Sequence, residues 1–414
     1  MGRSGAPPVA RGDGWDRRRV AAMAVGFVAL VAWSLVAGPA AAAPVRGPCA
    51  LERTDVRHSE GVDRWNSGYP RPLGDVNAVM LFLDFPDHVP DVDTRALTAD
   101  HFPATTTFLA RASYGRFRLH PHVLQRWFRM PRPSTAYGIH RDWADGLRTQ
   151  YLQDAIAAVG RDVDFRRYPV IYLVADPGAR GVDADATKVI NLARPIHSGR
   201  ATIDRLVTVF EHHPPDQNVL AHETNHVFDL PDLYLRPPTG SNDSWDTRVG
   251  DWDLMGSQFA LAPDLFAWHR WKYGWIDPGQ VICVDHPGTT TRTLTPVEVP
   301  GGTKLIVVRV SVTTALAIEV REARGNDEHA CAQGVLLYEV RADVESGEGP
   351  ITVMDGHPWT GACYGTSVYP QLADAPLGAG ESYMYHFGRL AQDVLRIRVD
   401  RHDRRGWTVT ADER

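Results

Sequence analysis

Residues 220–235 read LAHETNHVFDLPDLYL, and the spacing inside this stretch constrains the fold more than any other feature of the chain. His222 and His226 stand at i and i+4, so on a helix both imidazoles leave the same face. Two neutral imidazoles at that spacing can reach one zinc ion at about 2.0–2.1 Å each. Glu223 lies beside the first, placed to take a proton from a zinc-activated water and pass it to a leaving amine. A catalytic zinc needs a third protein ligand and an open position. Asp232 is the nearest candidate, since the six steps from His226 span at most about 20–22 Å. The return requires the helix to stop after Phe228. Asp229 tolerates a left-handed turn, and Pro231 blocks further helix and holds Leu230 extended. Asp253 competes for the same role, but it comes 21 residues later and would close a longer loop at greater entropic cost.

The motif alone leaves a second reading open, a helix whose polar groups simply pair with backbone. Val219, Leu220, Val227 and Phe228 flank it, which implies burial, and buried histidines and a buried glutamate need partners. Pro214-Pro215 and the capping residue Asp216 open the helix, which is expected from Gln217 to Phe228.

Around the motif, NAVMLFLDFPD (77–87) and YPVIYLVAD (168–176) read as buried strands, and residues 113–131 alternate like a strand. Leu152, Ala155, Ile156 and Val159 share a helical face that Gly160 ends, and residues 263–275 read as another helix. From residue 288 the texture is β: LAIEVRE, GVLLYEVRAD and VLRIRVDRH are separated by turn signals such as Pro300-Gly301-Gly302. The expected fold is α+β, with an active-site helix under a mixed sheet. The expected order is a targeting segment (1–42), a short leader or pro-segment (43–74), a catalytic domain (75–287) and a sandwich-like β-rich part (288–414).

Arg17, Arg18 and Arg19 precede a 19-residue uncharged run, Val20 to Gly38, and Ala40-Ala41-Ala42 offers a cleavage site. This implies export, or a membrane anchor if the segment stays uncleaved. Four cysteines in an oxidising compartment suggest two disulfides. Cys331 and Cys363 both lie in the β-rich part and are paired on that ground, leaving Cys49 with Cys283. A net charge of −6 gives no basic footprint for nucleic acid. No G-x-S-x-G elbow and no phosphate-binding loop occurs, so serine hydrolase and nucleotide chemistry lack support.

HETNHVFDLPDLY, then GDWDLMGS, then PDLFAWHRWKYGW, together with VMLFLDFPD and SYGRF upstream, resembles the immune inhibitor A family of secreted bacterial zinc metalloendopeptidases. The resemblance covers roughly residues 77–345. It implies a zincin- or metzincin-like catalytic domain and one catalytic Zn2+. It implies His222, His226 and Asp232 as ligands, Glu223 as base, and Met255 in a tight turn beneath the metal. The substrates would be proteins or peptides, and the chain a monomer. Where the family has glycine this chain has Asn225 and Asp229, and Leu235 replaces an acid, which weakens any calcium role there. Asp84 and Asp87 could bind calcium, though a plain turn is the favoured reading. Asp251 and Asp253 read as turn caps, His212 and His213 as a solvated loop, and His269 has no assigned role. Two rivals remain: an inactive surface-binding protein of the same fold, and a zinc hydrolase of another amide or ester.

Overall fold

The computed structural model describes residues 1–2, 47–160, 162–212, 217–387 and 394–413. The expected targeting segment, His213 and the start signal Pro214–Asp216 lie outside the described residues. Among the described residues no helix is long and apolar enough to cross a membrane.

The fold is α+β. Its first layer is a five-stranded sheet of β1 (Gly74–Asp84), β2 (Phe117–Arg129), β3 (Val170–Ala175), β4 (Lys188–Ser198) and β5 (Ala201–Val209), in the order β2-β1-β3-β5-β4. The pairs β1–β2, β1–β3 and β3–β5 are parallel, and β4 runs antiparallel at the edge. β1 from Ala78 onward and all of β3 are buried, as a strand covered on both faces must be. Val79, Leu81, Leu83, Ile171 and Leu173 meet the apolar face of a helix at Asp145–Val159. Ala78, Met80, Phe82, Tyr172 and Val174 face the other way, toward Leu109, Leu220 and Ala221. The five helices are therefore α1 (Thr94–Ala99), α2 (Ala104–Ala112), α3 (Asp145–Val159), α4 (Gln217–Val227) and α5 (Ala267–Tyr273), among the described residues. α3 ends at Gly160, whose φ of 59° is open to glycine, as its position after the apolar face implied.

The helix expected over 263–275 is shorter. The N–H groups of Asp264, Leu265 and Phe266 donate to side-chain carboxylates of Asp327, Asp264 and Asp253, so helix begins only at Ala267. The hairpin β4–β5 and helices α1 and α2 had no clean period to read. β4 in particular is exposed at half of its positions.

The β-rich part is two sheets. β6 (Val281–Val284), β8 (Leu305–Arg309), β9 (Thr314–Arg321), β10 (Gly334–Arg341) and β11 (Ile351–Met354) form one, in the order β11-β10-β9-β8-β6. β7 (Gly288–Leu294), β12 (Ser382–His386), β13 (Val394–Asp403) and β14 (Gly406–Glu413) form the other, in the order β12-β13-β14-β7. Ile306, Val308, Leu316 and Ile318 share one apolar core with Leu395, Ile397, Val399 and Trp407, the arrangement of a sandwich. The sheet begins ahead of the expected boundary at 288, because β6 pairs with β8. The reverse face of β9 and β10, with Ala315, Ala317, Tyr338 and Val340, joins the core beneath the first sheet. Residues 46–414 form one compact unit.

Residues 47–74 pack into the body of the chain. Cys49, Leu51 and Val62 sit in the main core, and the indoles of Trp268 and Trp275 donate to the carbonyls of Glu60 and Pro72. Cys49 is bonded to Cys283 and Cys331 to Cys363, as their placement suggested. Asp84 pairs with Arg129, and Asp87 accepts from the N–H and hydroxyl of Ser134.

Candidate metal centre

α4 is buried from Val219 to Val227, with His222 and His226 only 8% and 4% exposed. Each Nδ1 donates to a main-chain carbonyl, His222 to Leu254 at 2.9 Å and His226 to Leu230 at 2.7 Å. That fixes both tautomers and leaves the Nε2 lone pairs pointing at one shared space. The two Nε2 atoms are 3.1 Å apart, and Asp232 Oδ1 lies 3.2 and 3.0 Å from them. Three electron-pair donors converge here within 4.8 Å. Such a cluster repels itself unless a proton or cation sits inside it, and its N, N, O composition suits zinc. The protonation states tell the same story. Burial opposes a charge on His222, but the Asp232 hydrogen bond and the Glu223 and Asp232 carboxylates hold its imidazole up at about 9. Burial also works against ionising Asp232, yet His226 and the two imidazole hydrogen bonds keep it well below the usual carboxylate range.

The chain reaches Asp232 by a tight helix ending. Asp229 N–H donates to His226 O and Leu230 N–H to Asn225 O, and Asp229 adopts φ 71°. The left-handed turn expected at Asp229 is present. Asp232 is then held from a distant loop: Ser346 Oγ accepts from its N–H at 2.9 Å and donates to Oδ2 at 3.2 Å, while Gly347 N–H donates to its carbonyl.

Asp253 is elsewhere. Its Oδ1 accepts from Met255 N–H, and its Oδ2 accepts from Phe266 N–H and faces His269 Nδ1 at 3.0 Å. Met255 is buried in the turn that follows. The turn meets the centre through the Leu254 carbonyl on His222 and through Met255 O, which accepts from Leu233 N–H. Asp251 caps as its position suggested, accepting from Leu261 and Val368 N–H. His212 is not a bare loop residue, because its Nδ1 faces Asp100 at 2.6 Å.

Glu223 is 8% exposed, and its Oε2 accepts from Val189 N–H of the edge strand β4 at 2.5 Å. Burial raises its carboxyl above the ordinary value, only partly offset by His226 and His222. A carboxyl raised in this way holds its proton more readily than an exposed one. A cavity of about 690 Å³ lined by Arg111, Tyr114, Asp264 and Glu298 includes none of these groups.

Ser346 was missed in the sequence, as were Arg53, His58, Glu60 and Lys272, which pack beneath the centre. Only Lys272 carried a usable clue: it is one of three lysines in the chain, and it stands between Trp271 and Tyr273. No family model matches the chain, and no curated protein matches it.

Proposed function

We propose that the chain is an exported zinc-dependent endopeptidase of the immune inhibitor A type, with a zincin-like catalytic half. One observation carries this reading: two tautomer-locked imidazoles and a carboxylate converge on one point, with Glu223 one residue from the first ligand. His222, His226 and Asp232 would hold the ion. When bound, zinc supplies Lewis acidity that polarises a carbonyl and acidifies water. Glu223 takes the proton of the attacking water and returns it to the leaving amine, and its N–H···O bond to Val189 keeps it oriented. β4 is the edge strand of its sheet, so an extended peptide can pair with its main chain beside Glu223. The two disulfides fit an oxidising compartment.

The test is hydrolysis of casein by the purified chain, with and without a chelator, alongside metal analysis. Chelator-sensitive cleavage with about one zinc per chain is expected. Stoichiometric zinc without cleavage of any protein would make the chain a binding module. Cleavage of small esters or amides alone would make it a hydrolase of another class.

A further inference from the structure

Asp229 carries two features that do not belong together on an ordinary helix end. Its backbone is left-handed, φ 71°, a conformation that glycine adopts freely and other residues adopt at a cost. Its side chain is fully buried. A buried carboxylate in a strained turn persists only where its surroundings hold it. Here they do. Arg53 Nη1 donates to Oδ2 at 2.7 Å, and His58 Nδ1 meets Oδ1 at 3.1 Å. Lys272 Nζ of α5 donates to the Asp229 carbonyl at 2.6 Å, and to the Ser59 carbonyl at 2.8 Å.

Two of the candidate ligands, His226 and Asp232, flank this turn. The Leu230 carbonyl that orients His226 is the next residue along, and Asp232 follows two residues after that. A second chain of contacts reaches the remaining ligand. Glu60 Oε1 meets His269 Nε2 at 2.8 Å, His269 Nδ1 meets Asp253, and Asp253 holds the turn whose Leu254 carbonyl orients His222. Arg53, His58 and Glu60 all belong to one segment, pinned by the Cys49–Cys283 disulfide.

We propose that residues 47–74 form a strap that completes the metal centre, with Arg53 and His58 as positioning residues that act through Asp229. The inference rests on the zinc reading above. Glycine at 229 would form the turn unaided. Aspartate makes the turn depend on the docked strap, so metal affinity is coupled to a segment that contributes no ligand.

The experiment is zinc affinity of the full chain, measured by competition with a chromophoric chelator. Arg53→Ala, and His58→Gly, which suits the φ of 57° at that position, should each weaken zinc binding by about 10-fold or more. Arg53→Lys and His58→Asn keep a donor in place and should recover most of the loss. In an Asp229→Gly background the strap substitutions should have little further effect, because the turn no longer needs them. Unchanged affinity in Arg53→Ala and His58→Gly overturns the proposal, as does an equal loss in the Asp229→Gly background, which would mark general destabilisation. A wild-type chain that binds no zinc overturns the reading beneath it instead. Should Arg53→Ala not fold, His58→Gly with and without Asp229→Gly gives the same comparison.

Discussion

Two stretches build the centre, and they differ in how far their contacts reach. In residues 217–232 the decisive contacts span four to ten positions, such as His226 to Leu230 and His222 to Asp232. In the strap they span 171 to 209 positions, from His58 to Asp229 and from Glu60 to His269. Short contacts close at little entropic cost and can be written into a few residues. The long ones form where a shared core and a disulfide bring the partners together. The identity of the candidate ligands is a local property of this chain, whereas their aim is a global one.

The largest effect should come from the local stretch. Glu223→Gln removes the proton relay and leaves both stretches intact, so kcat should fall by about 10²–10⁴-fold with zinc content unchanged. Near-normal peptide hydrolysis by this variant would take Glu223 out of the mechanism. Asp232→Ala should cost the zinc itself in a chain that stays folded, seen as loss of stoichiometric metal with an unaltered melting profile at saturating chelator. Asp253→Ala separates the two aspartates. It strips Met255 N–H, Phe266 N–H and His269 of a buried partner, so the expected loss is stability, about 3–5 kcal/mol. The reverse pattern of metal loss would mean the third ligand had been misassigned.

The same division explains what could be read from the sequence. β1 and β3 were legible because a strand covered on both faces is a continuous apolar run. α4, the turn at Asp229 and the return to Asp232 were legible because Pro231 and the i, i+4 histidines leave few conformations. β4 was not, since an edge strand half in solvent has no strict alternation, although it supplies the N–H that Glu223 accepts. The packing of the strap was not. Its stretch RHSEGV has one apolar residue and no period, and its buried polar groups meet Asp229, His269, Lys272 and Ala342, none of them near in sequence. The helix over 263–275 was read too long because side-chain carboxylates from other elements claim its first N–H groups.

A pH titration sharpens the contrast, because the second strap contact is an ion pair. Burial opposes the charge on His269, but Glu60 and Asp253 outweigh it and hold the imidazole up at about 9, against 6.5 in the unfolded chain. The folded state therefore binds the extra proton between those values. The stabilisation is complete below pH 6.5 and is lost as pH rises to about 9, on the order of 3 kcal/mol. The melting temperature of the metal-free chain should fall across that window, and His269→Gln should make the fall shallower, leaving the share that His222 carries. A parallel slope in the variant would show that another group carries the dependence.

The smallest expected effect tests whether closeness to a ligand or control of its backbone matters more. Ser346 touches Asp232 directly, at the amide and at Oδ2, yet it sits 114 residues away in the β-rich part. Ser346→Ala removes two hydrogen bonds, each worth about 0.5–1.5 kcal/mol net. Three other restraints on Asp232 survive it: the Gly347 N–H on its carbonyl, Pro231 before it, and the two imidazoles facing Oδ1. Water can also replace the hydroxyl, because the Asp232 side chain is 17% exposed. Zinc affinity should therefore drop by only about threefold to tenfold in the chelator competition, with kcat nearly unchanged once the metal is saturating. Arg53→Ala touches no ligand and should cost more. If Ser346→Ala proves the worse of the two, direct contact with the ligand governs this centre, and the strap holds the fold rather than the metal.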